Sequence, residues 1–299
     1  MVGYLFAGQG SQYVGMGKDL FESFPESKEI FEIADKTLGF SISELCFNGP
    51  AEELTKTNNC QPAIVTMTIA CWKAYFSKTN KVDGYMAGLS LGEYSALVAS
   101  GALSFEDAVY LVRLRGQFME EEARNHPGKM LSIIGLDLAK VKELCQEVKA
   151  EVANINCPGQ TVISGSAEVI TKAQQLAKEQ GAKLAVILEV SGAFHSSFMQ
   201  GASLKLAKEL EKININRPQF PVISNVTGKI VFDPQEIKEN LVRQVSGSVL
   251  WEDSMRLILA QGVVNFAEFG PGKVLKGLMR RIDSNAQVVN VEKSTDILG

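Results

Sequence analysis

Short apolar runs alternate along the chain with longer amphipathic stretches, and that alternation is the strongest constraint on the fold. Strands that recur at helix-length intervals are joined by crossovers, which build a mostly parallel sheet covered by helices. Val2–Phe6 reads as the first strand, Gln61–Ser77 as a helix and Gly84–Ala87 as a short buried strand. Ser104 opens a further helix, with Asp107 three residues on as an imperfect capping box. Phe220–Ser224, Val263–Glu268 and Gln287–Val291 read as later strands, with helical patterns between them. The expected fold class is α/β, without internal repeats or low-complexity linkers.

One segment follows a different order. From Lys129 to Leu188 the chain reads strand, helix, strand, strand, helix, strand: Lys129–Gly135, Ala139–Lys149, Glu151–Asn156, Thr161–Gly165, Ala167–Gln180 and Lys183–Leu188. That is the β-α-β-β-α-β order of a ferredoxin-like unit. Turn-rich Asn125-His126-Pro127-Gly128 leads in and Ser191-Gly192 leads out. The expected organisation is a large α/β domain, residues 1–127 and 191–299, carrying a small domain at 128–190. A cleft between the two is the default place for a ligand.

Composition narrows the function. Apolar residues make up 45% of the 299 and charged residues 21%, enough to bury a sizeable core. The charge sum, 30 basic against 34 acidic residues for a net −4, gives no reason to expect a nucleic-acid partner. Five cysteines without a CxxC pair fit neither a disulfide framework nor a zinc site. The apolar N-terminus has no basic flank and reads as a strand, not a signal peptide. No stretch approaches the ~20 apolar residues of a membrane span. A reduced, soluble, cytoplasmic protein is expected, with no membrane partner, no metal and no cofactor, and a monomer.

The strongest local signal is Gly88-Leu89-Ser90-Leu91-Gly92, a GxSxG between an expected strand and an expected helix, Glu93–Ala99. A serine on a sharp strand-to-helix turn needs neighbours without a Cβ, and the turn lifts its hydroxyl clear of the sheet. Backbone amides at the helix start can hold a developing oxyanion. The bland alternative is a glycine-flanked serine in an ordinary turn.

A serine nucleophile needs a base, and the chain has two histidines. His126 sits in a surface-loop context, Asn-His-Pro-Gly. His195, in Ser191-Gly192-Ala193-Phe194-His195-Ser196-Ser197, has the small, turn-forming neighbours of a cleft wall. It is the better candidate. No acid with a motif of its own lies between Ser90 and His195, which leaves room for a dyad oriented by a backbone carbonyl.

On the expected helix from Phe105 to about Ala123, one face carries Ala108, Leu111, Val112, Arg115 and Met119. That stripe is apolar except for Arg115, whose guanidinium must either snorkel to water or bind an anion such as a carboxylate. Arg113, off the stripe, reads as ordinary surface charge. Gly8-Gln9-Gly10-Ser11-Gln12 is neither GxGxxG nor a P-loop. Gly270-Pro271-Gly272 reads as a turn and helix start. Lys273, Lys276, Arg280 and Arg281 read either as a solvated face or as a surface for an acidic partner.

Taken together, the motifs resemble those of malonyl-CoA:acyl carrier protein transacylases, a family that includes the acyltransferases of polyketide synthases. The ordered set is Gly8-Gln9-Gly10-Ser11-Gln12, Gly88-Leu89-Ser90-Leu91-Gly92-Glu93-Tyr94-Ser95, Arg115-Gly116, Asn156-Cys157-Pro158-Gly159-Gln160, Gly192-Ala193-Phe194-His195-Ser196, Ser224-Asn225-Val226-Thr227-Gly228 and Glu268-Phe269-Gly270-Pro271-Gly272-Lys273-Val274-Leu275. The resemblance implies an α/β-hydrolase-like core with a ferredoxin-like insert. It further implies that Ser90 is acylated by malonyl-CoA and passes malonyl to the phosphopantetheine thiol of a holo acyl carrier protein. His195 would be the base, the amides of Gln9 and Leu91 the oxyanion hole, and Arg115 the grip on the malonyl carboxylate. Gln61 would help to hold Arg115, and the Leu250 carbonyl would orient His195.

Phe194 beside His195 resembles the malonyl-selecting form of the motif, in which a ring leaves little room for an α-methyl branch. Two departures stand out: Leu89 precedes the nucleophile where the family usually has histidine, and Gly-Ala-Phe-His replaces the commoner Gly-Pro-Phe-His. The second leans towards a discrete polyketide synthase acyltransferase acting in trans. The competing reading is an acyl hydrolase that clears carrier proteins, against which a buried Arg115 speaks.

Overall fold

The structure, a computed structural model, describes residues 1–79 and 83–298. Its strands in chain order are β1 (Val2–Phe6), β2 (Gly84–Gly88), β3 (Lys129–Ile134), β4 (Glu151–Cys157), β5 (Gln160–Gly165), β6 (Leu184–Ile187), β7 (Val222–Ile223), β8 (Ile230–Val231), β9 (Val249–Leu250), β10 (Asn265–Phe269) and β11 (Gln287–Val291). They form two sheets, and helices cover them, giving a mixed α/β fold.

The larger sheet has the order β11-β10-β1-β2-β7-β8. Every pairing from β11 to β7 is parallel, and only β8 runs antiparallel to its neighbour. β1 is central and buried on both faces, which explains why it reads as an unbroken apolar run instead of an alternating one. Tyr4 and Phe6 pack on one side with Trp72 and Phe269, while Leu5 packs on the other with Trp251, Met255 and Phe266.

The smaller sheet has the order β6-β3-β5-β4-β9. β3 to β6 follow the expected β-α-β-β-α-β order, with helices at Leu138–Val148 and Ala167–Glu179. Leu131 and Ile133 turn inward to pack with Val141, Leu144 and Ile170 under those helices. The intervening residues Met130 and Ser132 face the other way, into a cleft. β9, two residues from the distant C-terminal half, adds in parallel to β4 as a fifth strand beyond the expected four.

Several boundaries differ from expectation. The helix expected at Gln61 begins at Thr57, and Pro62 lies inside it. Proline has no amide to give the carbonyl four residues back. The Asn58 carbonyl freed in this way accepts instead from Arg113 Nη1 at 2.6 Å, and the Arg113 guanidinium also lies 5.0 Å from the Phe40 ring centre. Arg113 is therefore a structural cation, not ordinary surface charge. The strand expected at Phe220–Ser224 shrinks to Val222–Ile223, preceded by Pro221, and that expected at Val263–Glu268 starts at Asn265. All five cysteines are buried free thiols. Among the described residues no helix is long and apolar enough to cross a membrane, and no cluster of metal-ligating side chains occurs.

Candidate active site

Ser90 lies two residues past the end of β2 and two before the helix Gly92–Ala99. Its φ is 51°, a left-handed conformation that non-glycine residues adopt only under constraint, at about 1–3 kcal/mol. Both flanking glycines are required by contact. A Cβ on Gly88 would run into the backbone of Gly92, and one on Gly92 would run into the Phe6 carbonyl. Asn225 straps the turn: its Oδ1 accepts from the Ser90 amide at 2.6 Å and its Nδ2 donates to the Gly88 carbonyl at 2.8 Å.

His195 also has a positive φ, 57°, and is buried. Its Nδ1 lies 2.7 Å from the Gln244 carbonyl, so that nitrogen carries the proton. Nε2 is left as acceptor for the Ser90 hydroxyl, 2.8 Å away. The expectation that the Leu250 carbonyl orients His195 is corrected. That carbonyl accepts from Ser254 Oγ in the first turn of the helix Trp251–Ala260. Gln244 instead sits in the last turn of the helix Pro234–Ser246, where carbonyls have no intrahelical donor. Burial, then the Arg115 charge, pushes the imidazole down to about 4, so it is neutral at pH 7.

Arg115 does not snorkel. It is 1% exposed, and its Nη1 donates to Gln61 Oε1 at 2.8 Å. Nη2 lies 3.1 Å from both Gln244 Oε1 and Ser90 Oγ, and Nε finds no acceptor among the described residues. The helices that carry Arg115 and Gln61 meet closely because Gly116 has no side chain: a Cβ there would stand 2.7 Å from the Thr57 carbonyl oxygen.

The site opens into a cavity of about 600 Å³ between the two sheets. Ser90, Arg115, His195, Phe194 and Gln9 line it from one side, and Met130, Asn154, Asn156 and Val162 from the smaller sheet. Gly8 lets the Gln9 loop come close to the Ser90 turn, since a Cβ there would be 2.7 Å from the Leu89 carbonyl oxygen. Leu89 lines the cavity, whereas Leu91 is buried at the helix start. His126 is exposed beside Glu122 and lies outside the cavity. Arg281 donates to Gln160 Oε1 at 2.8 Å, tying the β4–β5 turn to the helix Val274–Ile282, whereas Lys273, Lys276 and Arg280 are exposed.

Two groups in this network had no role from sequence. Gln244 shares a buried stripe with Ile237, Leu241 and Val245, the same signal of a polar residue on an apolar face that singled out Arg115. Glu93 is buried directly after the Ser90 turn, and its Oε2 accepts from Gln244 Nε2 at 2.6 Å and from the Asn225 amide at 3.2 Å. Burial raises its carboxyl to about 7 against the lowering effect of those bonds and of Arg115.

Known proteins are similar to this chain over nearly its whole length. Residues 3–294 match the family described as the acyl transferase domain. A relative from Bacillus subtilis named malonyl CoA-acyl carrier protein transacylase is 46% identical over 295 residues, 97% of this chain and 93% of its own. The solved malonyl CoA-acyl carrier protein transacylase of Coxiella burnetii superposes with a TM-score of 0.97 at 37% identity, covering 99% of this chain and 95% of that one. A malonyl-transacylase solved in complex with its type II polyketide synthase acyl-carrier protein gives 0.96 at 40% identity, over 99% and 97% of the two chains. With a match that leaves only a few residues at either end outside it, the chain belongs to the acyl transferase domain family.

Proposed function

We propose that the chain is a malonyl-CoA:acyl carrier protein transacylase, moving malonyl from coenzyme A through an ester on Ser90 to the phosphopantetheine thiol of a carrier protein. The observation that carries this reading is Arg115, a buried guanidinium whose Nη2 is 3.1 Å from the Ser90 hydroxyl. A neutral acyl chain offers such a cation nothing, whereas the free carboxylate of malonyl supplies charge-assisted hydrogen bonds. An acyl hydrolase acting on neutral chains has no use for it, and the relatives are named as transacylases.

Each half-reaction follows from the contacts. The Ser90 hydroxyl gives its proton to His195 Nε2 as Oγ attacks the thioester carbonyl. The Gln244 carbonyl, accepting from Nδ1–H, steadies the imidazolium that forms. The amides of Gln9 and Leu91 hold the oxyanion, a role supported by the close approach of the Gly8 loop and by the position of Leu91 at a helix start. The tetrahedral intermediate expels the coenzyme A thiolate, which takes the proton from His195. The carrier's thiol then repeats the sequence in reverse order. A thioester and an oxyester are close in energy, so efficient transfer depends on excluding water from the acyl-enzyme.

We read residues 1–127 and 191–299 as an α/β-hydrolase-like core and 128–190 as a ferredoxin-like insert, a reading supported by the β6-β3-β5-β4 order. Intact-mass analysis after brief mixing with malonyl-CoA tests the function. A malonyl adduct absent from Ser90→Ala and discharged by holo carrier protein is expected. No adduct, or one lost to water as fast without carrier protein as with it, moves the reading to the hydrolase.

A further inference from the structure

Glu93 is a buried carboxylate that the reaction above leaves without a task. It reaches the site through one residue. Gln244 donates from Nε2 to Glu93 Oε2 and to the Ser90 carbonyl, and its Oε1 accepts from Arg115 Nη2. The direction of the Gln244 amide, and with it one acceptor for Arg115, is therefore fixed by Glu93. Asn225 is held in the same way, since its amide donates to the same Oε2 while its side chain straps the nucleophile turn.

Charge counting gives this contact a consequence. In the empty pocket the Arg115 cation is balanced by the Glu93 anion. A malonyl carboxylate on Arg115 puts two buried anions against one cation, and an uncompensated buried charge is costly. The titratable groups that act on Glu93 are Arg115, from the helix Phe105–Asn125, and Tyr94, its own neighbour, which is kept neutral by burial. The helix Pro234–Ser246 presents the neutral Gln244, beyond which lies His195.

We propose that Glu93 is a charge-compensating positioning residue: in its ionised form it balances Arg115 in the empty site, and that form takes up a proton from solvent when a malonyl carboxylate binds there. This rests on the malonyl reading of the site. Both of its hydrogen bonds fall on Oε2, so Oε1 is free to receive the proton without breaking either. With its carboxyl already brought to about 7, a nearby second anion is enough to protonate it at neutral pH. The acylation chemistry is unchanged: the serine proton still leaves on the coenzyme A thiol, and the extra proton comes from water or buffer.

The test is the malonyl-enzyme to free-enzyme ratio at a fixed mixture of malonyl-CoA and coenzyme A, read by intact mass from pH 6 to pH 8. In the native protein the ratio should fall by up to about tenfold per unit above pH 7, the slope of one linked proton. In Glu93→Gln, which keeps an acceptor for both hydrogen bonds, it should be flat. Ionisation of the released thiol is common to both proteins and cancels. Should that variant not fold, calorimetry of native acylation in two buffers of different ionisation heat counts the protons, and about half a proton per malonyl is expected at pH 7. A slope that persists in Glu93→Gln assigns the proton to His195 and overturns the proposal, as does a native enzyme that takes up none. Absence of any malonyl adduct overturns the malonyl reading itself, and this inference with it.

Discussion

Arg115 Nη2 and Ser90 Oγ stand 3.1 Å apart, so the buried cation touches the hydroxyl proposed as the nucleophile. In malonyl the carboxylate and the reacting carbonyl are separated by one methylene. A pocket that serves both must hold its cation this close to its nucleophile. On the malonyl reading the pocket should therefore sense the length of the diacid as well as its charge, and a succinyl thioester, longer by one carbon, should acylate Ser90 far less than malonyl-CoA does.

Arg115→Ala should lower malonyl acylation of Ser90 by about a hundredfold, the worth of a lost charge-assisted contact of ~3 kcal/mol. Acetyl acylation, which makes no use of the cation, should change far less. Competition between the two thioesters, read by intact mass, measures the difference. An unchanged malonyl-to-acetyl preference would contradict the role given to Arg115.

The imidazole of His195 acts as base only when neutral, and its position at about 4 sets the sign of the pH effect. The initial acylation rate should hold level from about pH 7 down to about pH 5 and fall as the pH drops through 4. Stability follows the same window. An unfolded histidine titrates near 6.5, so between about 6.5 and 4 the unfolded chain binds more protons and stability falls with falling pH. Denaturant unfolding across that range should show a shallower slope in His195→Gln.

Phe194 is 5% exposed and lines the cavity beside His195. Trimming it should admit an α-methyl branch. Phe194→Ala should raise the methylmalonyl-to-malonyl ratio of adducts about tenfold, since one steric contact of this kind is worth roughly 1–3 kcal/mol. A ratio that stays fixed would place the selecting contact elsewhere.

Lys273 and Lys276 are exposed on the segment that carries Val274 into the cavity wall. If an acidic carrier docks there, Lys273→Glu with Lys276→Glu should slow transfer to carrier protein about tenfold and weaken its salt dependence. Self-acylation by malonyl-CoA should be nearly unaffected. Equal effects on both half-reactions would remove these residues from docking. Arg281 is less suited to the role, because its guanidinium is already engaged by Gln160.

What the sequence made legible was whatever depends on local pattern or on chemical scarcity. Ser90 announced itself through two glycines, His195 through the lack of another good histidine, and Arg115 through its place on an apolar stripe. Gln244 obeys the same stripe logic, yet an amide among apolar residues is a weaker signal than a charge. The Leu250 carbonyl enters only through the family resemblance, and the actual partner, the Gln244 carbonyl in the last turn of the helix Pro234–Ser246, is a backbone group that no side-chain pattern marks. β7 lies inside the apolar run Phe220–Ser224 that already reads as a strand, whereas the two-residue β9 exists only through pairing with the distant β4, so no local preference could reveal it.

The parallel pairing of Asn154 and Ile155 with Val249 and Leu250 bears on how such chains can be recombined. A chimaera that exchanges only residues 128–190 between two relatives would bring a foreign β4 against a native β9. The exposed edge of β4 would then lose its matched cover and become a site for strand addition by another molecule. A graft that also carries residues 247–251 would keep that seam intact and is the one expected to stay soluble.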